Sequence, residues 1–154
     1  MKRPWLPIVP FLLAACAPLA PSARAEERAN VPEKYKWNTA DLYPSDEAWY
    51  QKKDELAARI PKMADFQGKL GGSAGGFYTA LSAVMDLDQD LSRLMVYASM
   101  RGDEDTRVGK TREMDQTAED LGVKFSAASS YMRPEILALG SAKVQGFVAA
   151  DPRL

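Results

Sequence analysis

The chain of 154 residues has no histidine and a single cysteine, Cys16. Without an imidazole it cannot supply a serine-histidine pair, nor the two histidines one helical turn apart on which a His-Glu-x-x-His zinc site rests. One thiol cannot close an internal disulfide. Strand-length alternation of apolar and polar residues is missing, as are internal repeats, a heptad seam and low-complexity tracts, which argues against sheet, solenoid and coiled-coil architectures. An excess of positive charge is missing too. Residues 1–25 hold three of the 20 basic residues and no acid, so the remainder sets 17 basic against 21 acidic residues, a net charge of −4. The later Lys and Arg residues are interleaved with Asp and Glu rather than clustered, which argues against nucleic acid as a partner.

What is present begins with an export signal. Lys2 and Arg3 precede an apolar run from Trp5 to Ala15, broken by Pro7 and Pro10 and too short for the roughly 20 residues a membrane span needs. Two exits follow. Leu13-Ala14-Ala15-Cys16 has the form of a bacterial lipobox, in which Cys16 becomes the lipidated first residue; Ala23-Arg24-Ala25 before Glu26 has the form of a small-x-small cleavage site. The polar, proline-containing residues 17–25 resemble a spacer and favour the second exit. A lone cysteine is commonly a small buried apolar residue, but the position of Cys16 behind Leu-Ala-Ala fits lipidation better. Either route exports the chain to the periplasm or beyond, with a lipid anchor as the alternative form.

The rest reads as all-α: a helical hairpin or bundle of long antiparallel helices behind the signal peptide. Residues 26–45 are expected to form an extended tether and an aromatic strap, in which Trp37 and Tyr43 lie on the bundle while Asn38 and Asp41 make turn bonds to the backbone. Residues 46–154 form the helical domain. Ser45 is the expected N-cap, with Asp46 and Glu47 in the first turn. Trp49, Leu56, Ile60 and Met63 make one helical stripe, which Pro61 ends or kinks near Ile60. After a connection at 66–72, the stripe of Phe77, Leu81, Val84, Leu87, Leu91, Leu94 and Ala98 marks the longest helix, with Met85, Met95 and Met100 widening its buried face. Gly102 is expected to stop it and Asp105 to cap the next, whose stripe is Val108, Met114, Ala118, Leu121, Phe125, Ala128 and Met132. Pro134 should close that helix by restricting Arg133. Two short helices around Gly140 complete the chain.

Motifs that suggest chemistry fail on spacing. Gly109-Lys110-Thr111 would end a phosphate-binding loop only with glycine at position 104, which is Glu104. Gly68, Gly71, Gly72, Gly75 and Gly76 follow no hydrophobic strand that could place a dinucleotide. The acids around Gly102 lack the alternating oxygen ligands of a calcium loop. Ser126, Ser129 and Ser130 have no base. Asp86 and Asp90 share a helix face with Arg93 one turn on, which reads as a solvated, partly paired surface. No catalytic, cofactor-binding or metal-ligating residue is assigned.

One segment is distinctive: Lys36-Trp37-Asn38-Thr39-Ala40-Asp41-Leu42-Tyr43-Pro44-Ser45. Followed in order by Phe66-Gln67-Gly68-Lys69-Leu70, by Arg93-Leu94-Met95-Val96-Tyr97-Ala98 running into Asp103-Glu104-Asp105-Thr106, and by Arg133-Pro134-Glu135-Ile136-Leu137, it resembles the N-terminal region of oligoendopeptidase F, of the thimet-oligopeptidase-like zinc metallopeptidases. The resemblance implies a helical wall or lid over a peptide channel, a catalytic domain beyond Leu154 as its partner, oligopeptide substrates, and Zn2+ bound by that later domain. None of the resembling blocks is catalytic, and this chain alone is expected to be inactive. The alternative is an exported or lipid-anchored helical module that binds peptide or protein without catalysis.

Overall fold

The structure is a computed structural model that describes residues 30–104 and 106–154. The two cleavage exits, Cys16 and the expected cap Asp105 lie outside the described residues. Within them, all regular structure is helical: α1 (Asp46–Arg59), α2 (Ala74–Glu104), α3 (Gly109–Ser129), α4 (Met132–Leu139) and α5 (Ser141–Ala150), with 3₁₀ helices at Glu33–Tyr35, Thr39–Asp41 and Ile60–Phe66. None of these helices is long and apolar enough to cross a membrane.

Helix α1 starts as its sequence dictates. The Ser45 hydroxyl accepts from the Ala48 amide at 3.3 Å, and Asp46 and Glu47 occupy the first turn, where the helix dipole favours negative charge. Pro61 lacks the amide that an α-helical turn would require, so the chain tightens after Arg59 into the 3₁₀ helix while keeping the stripe in register. Trp49, Leu56, Ile60 and Met63 are all buried.

That stripe packs on Leu87, Leu91, Leu94, Tyr97 and Ala98 of α2 and on Met114, Ala118 and Leu121 of α3, making the main core. Each fully buried leucine there contributes about 1.5–3 kcal/mol. The Trp49 indole also donates to the Leu94 carbonyl at 2.8 Å, so the largest core side chain leaves no polar atom unpaired. A second core gathers Leu70, Phe77, Ala80, Tyr131 and Met132, with Leu139, Phe147 and Leu154 against it. The Tyr131 hydroxyl donates to the Met63 carbonyl at 2.6 Å and joins the two.

Five expectations need correction. Met85 is 68% exposed and Met95 39% exposed rather than widening the buried face of α2. At about 100° per residue, Met85 lies roughly 160° around the helix from Leu87, whereas Met95, about 40° from Leu91, sits at the edge of the buried face with its sulfur toward Gly122 of α3. Tyr97, on the other side of Leu94, is buried. Gly102 does not serve as the C-terminal glycine of α2: its φ is not positive, and the helix ends at Glu104, inside the stop expected at 102–105. Val108 is the exposed N-cap of α3 rather than a core residue, and Thr111 is buried there with its hydroxyl on the Val108 carbonyl. Pro134 does not close α3. The helix ends at Ser129, where Ser129 and Ser130 turn their hydroxyls back onto the Phe125 and Ala127 carbonyls, and Pro134 sits in the first turn of α4, where no amide donor is needed. Trp37 is 51% exposed, so Tyr43, edge-on to Tyr97 at 5.4 Å, is the aromatic that fastens the strap.

Gly140, between α4 and α5, takes φ +75°, which a side chain would resist. The final residues fold back on α2: Arg153 forks onto Asp151 at 2.9 and 2.6 Å while its guanidinium stacks 4.1 Å from the Tyr78 ring centroid.

Candidate functional site

Three helix ends meet at a half-buried polar junction around Asp46. The first turn of α1 brings Asp46, the last two turns of α2 bring Tyr97 and Arg101 one turn apart, and the first turn of α3 brings Lys110. The Asp46 carboxylate accepts from the Tyr97 hydroxyl at 2.9 Å, from Arg101 Nε at 3.3 Å and pairs with Lys110 Nζ at 2.9 Å. A solvent-open cleft of about 350 Å³ lies beside them, lined by Thr39, Pro44, Ser45, Asp46, Glu47, Tyr97 and Arg101.

The electrostatics follow from those contacts. Burial works against the Asp46 charge, but bonds from Lys110, Tyr97 and Arg101 outweigh it and hold the carboxyl below its ordinary value. Burial, and then donation to the Asp46 carboxylate, pushes Tyr97 up to about 12. At neutral pH the carboxylate is therefore charged with its donors in place, and the phenol keeps its proton. Neither group is poised to exchange a proton near pH 7, as general acid–base work requires. The cluster joins three helices beside the cleft.

A second polar cluster ties α1 to α2. Asp90 pairs with Arg59 at 2.7 Å and Lys52 at 3.1 Å, and Glu55 bonds Lys52 at 3.0 Å. The cations that reach Asp90 come from α1 and not, as the spacing suggested, from Arg93. Asn38 likewise bonds the Asp41 side chain at 2.7 Å rather than the backbone. Sequence reasoning missed the Asp46 junction, because Asp46 and Tyr97 are 51 positions apart and nothing local marks them as partners.

Zinc does not fit these residues. The chain has no histidine, and among the described residues no group of three or more carboxylates or thiols converges on a point that could hold a metal ion.

Several residues of the blocks that carry the sequence resemblance cap helices or pack in the cores. Ser45 caps α1, Leu70 is buried in the second core, Leu94, Tyr97 and Ala98 are buried in the main core, and residues 133–137 lie in α4. Comparison with known proteins agrees with that resemblance. The chain is 33% identical over 130 residues to Group B oligopeptidase PepB of Streptococcus agalactiae and 34% identical over 128 residues to Oligopeptidase PepF of Bacillus subtilis, matches that take in 84% and 83% of this chain. It belongs to the oligoendopeptidase F family.

A plasmid-borne Oligoendopeptidase F of Lactococcus lactis subsp. cremoris is 31% identical over 114 residues. The chain spans only about a fifth of each relative, 22%, 19% and 19% of their lengths in the order given. No family model and no solved structure matches. Among the described residues, all regular structure of this oligoendopeptidase F family member is helical.

Proposed function

We propose that the chain is the N-terminal helical region of an exported, oligoendopeptidase F-like zinc metalloendopeptidase, forming wall or lid over a peptide channel and supplying no catalytic group. The observation that carries this reading is the pairing of a third identity to named oligopeptidases over most of the chain with a complete lack of histidine. Zinc and the hydrolysis of oligopeptides then belong to parts of such a protein that this chain does not contain, and the catalytic domain is its partner. The basic, apolar and small-residue sequence of positions 1–25 supports export, ending at Glu26 or at a lipid-anchored Cys16.

The test is chemical. The purified chain, incubated with zinc and a mixture of oligopeptides, is expected to cleave none of them and to retain no stoichiometric zinc after gel filtration. Zinc-dependent cleavage that a chelator abolishes would overturn the reading.

A further inference from the structure

Beside the end of α2 lies a small cavity of about 170 Å³, lined by Tyr35, Trp37, Asp103 and Glu104. Its aromatic side is unusual for this chain. Tyr35 and Trp37 are 67% and 51% exposed, among the most exposed large apolar side chains of the described residues, although the same strap buries Leu42 and Tyr43 partly against the core. A packing role would cover them; here both edge an open cavity.

The opposite side is negative for two separate reasons. Asp103 is exposed, and none of the described cations pairs with it, whereas Glu104 is bonded to Arg101 at 2.7 Å. Both stand in the last turn of α2, a helix of 31 residues whose C-terminal carbonyls present the negative end of the dipole. Aromatic faces attract cations through the ring quadrupole, and a carboxylate beside them adds a direct charge. The strap already shows this chemistry, since the ammonium of Lys34 sits 4.7 Å from the Tyr35 ring centroid. That leaves Trp37 as the lining ring without a cation of its own among the described residues.

We infer that the Tyr35–Trp37–Asp103 cavity is a binding site for an organic cation, a guanidinium or an alkylammonium, with Trp37 as the aromatic wall and Asp103 as the counter-charge. The volume admits a side-chain head group rather than a folded partner. The cation chemistry stands on the cavity alone; a peptide as its source rests on the oligopeptidase reading.

Trp37 supplies its own signal. Of the three tryptophans, Trp49 is fully buried, so in the full chain carrying Trp5→Phe the solvent-sensitive emission comes from Trp37. N-acetylargininamide, its neutral isostere N-acetylcitrullinamide, and glycylglycinamide are titrated separately. Saturating quenching or a blue shift by N-acetylargininamide, with a dissociation constant on the order of 1 mM and no saturation by the citrulline compound, is the expected result. Asp103→Asn should weaken that binding by roughly threefold or more, while Asp54→Asn, an exposed acid on α1, leaves it unchanged. Saturation by glycylglycinamide as well assigns an α-ammonium to the site, and saturation by N-acetylargininamide alone assigns the guanidinium. Linear responses throughout, equal saturation by the citrulline compound, or an unchanged constant in Asp103→Asn would overturn the inference, and none of these outcomes bears on whether the chain belongs to a peptidase.

Discussion

Asp46 is the acceptor at which α1, α2 and α3 converge. Its folded pKa is depressed below the unfolded value near 3.9, so its contribution to stability is complete above that value and is lost as pH falls through the depressed one. Tyr97 acts at the other extreme. Its pKa of about 12 lies above the ordinary tyrosine value near 10, so its contribution is complete below pH 10 and is lost as pH rises through about 12. Asp46→Asn should lower stability at pH 7 by about 1–3 kcal/mol and remove part of the loss of stability that sets in as pH falls below about 4. Urea unfolding followed by circular dichroism across that range checks both. An unchanged acid limb would show that the junction is not a pH-linked contact. Ser45 and Asp46 were legible as helix-start residues because capping is local, whereas the reach of Asp46 to Tyr97 and Lys110 is a property of the folded bundle and leaves no mark in the sequence.

At the scale of elements, the stripes at helical spacing located the core, and they failed where periodicity was stretched to neighbours one or two residues off the line. Leu87, Leu91 and Leu94 are buried; Met85, of similar hydrophobicity, faces outward because its angle around α2 decides and its side-chain chemistry does not. Leu91→Asp should therefore unfold the chain or cut its stability by several kcal/mol, since an unpaired carboxylate would enter a dry core, while Met85→Lys should shift it by less than about 0.5 kcal/mol. Thermal unfolding of the two variants beside the parent makes the comparison. Similar melting temperatures for parent and Leu91→Asp would refute the core assignment. The helix ends were the least legible. Gly102 and Pro134 carry the usual stop residues, yet Gly102 keeps helical φ and Pro134 falls at the third position of α4, where its missing amide does no harm. Gly140, with φ +75°, is the place where the glycine signal was sound.

For the whole molecule, a helical region held by two cores belongs to a family whose named relatives are about four times as long, and export is proposed from residues 1–25. The address is tested by expression in a bacterium and intact-mass analysis: the mature chain should begin at Glu26, or at a diacylglycerol-modified Cys16, with Cys16→Ala abolishing membrane retention only in the second case. A cytoplasmic protein that still begins at Met1 or Lys2 would refute both routes. The fold class and family were readable because helical stripes and the 36–45 segment are dense local signals; the exposure of Trp37 was not, since nothing in an aromatic residue's own neighbourhood says whether another element covers it. The central claim is that these residues are an interchangeable structural part of an oligoendopeptidase F-type enzyme. It is tested most directly by a chimera in which residues 30–154 replace the matched stretch of the Bacillus subtilis oligopeptidase. The account predicts a folded chimera that still cleaves oligopeptides in a chelator-sensitive way, with Leu91→Asp in the inserted stretch abolishing soluble expression. A soluble, helical chimera that cleaves nothing, beside a parent oligopeptidase active under the same conditions, would contradict it.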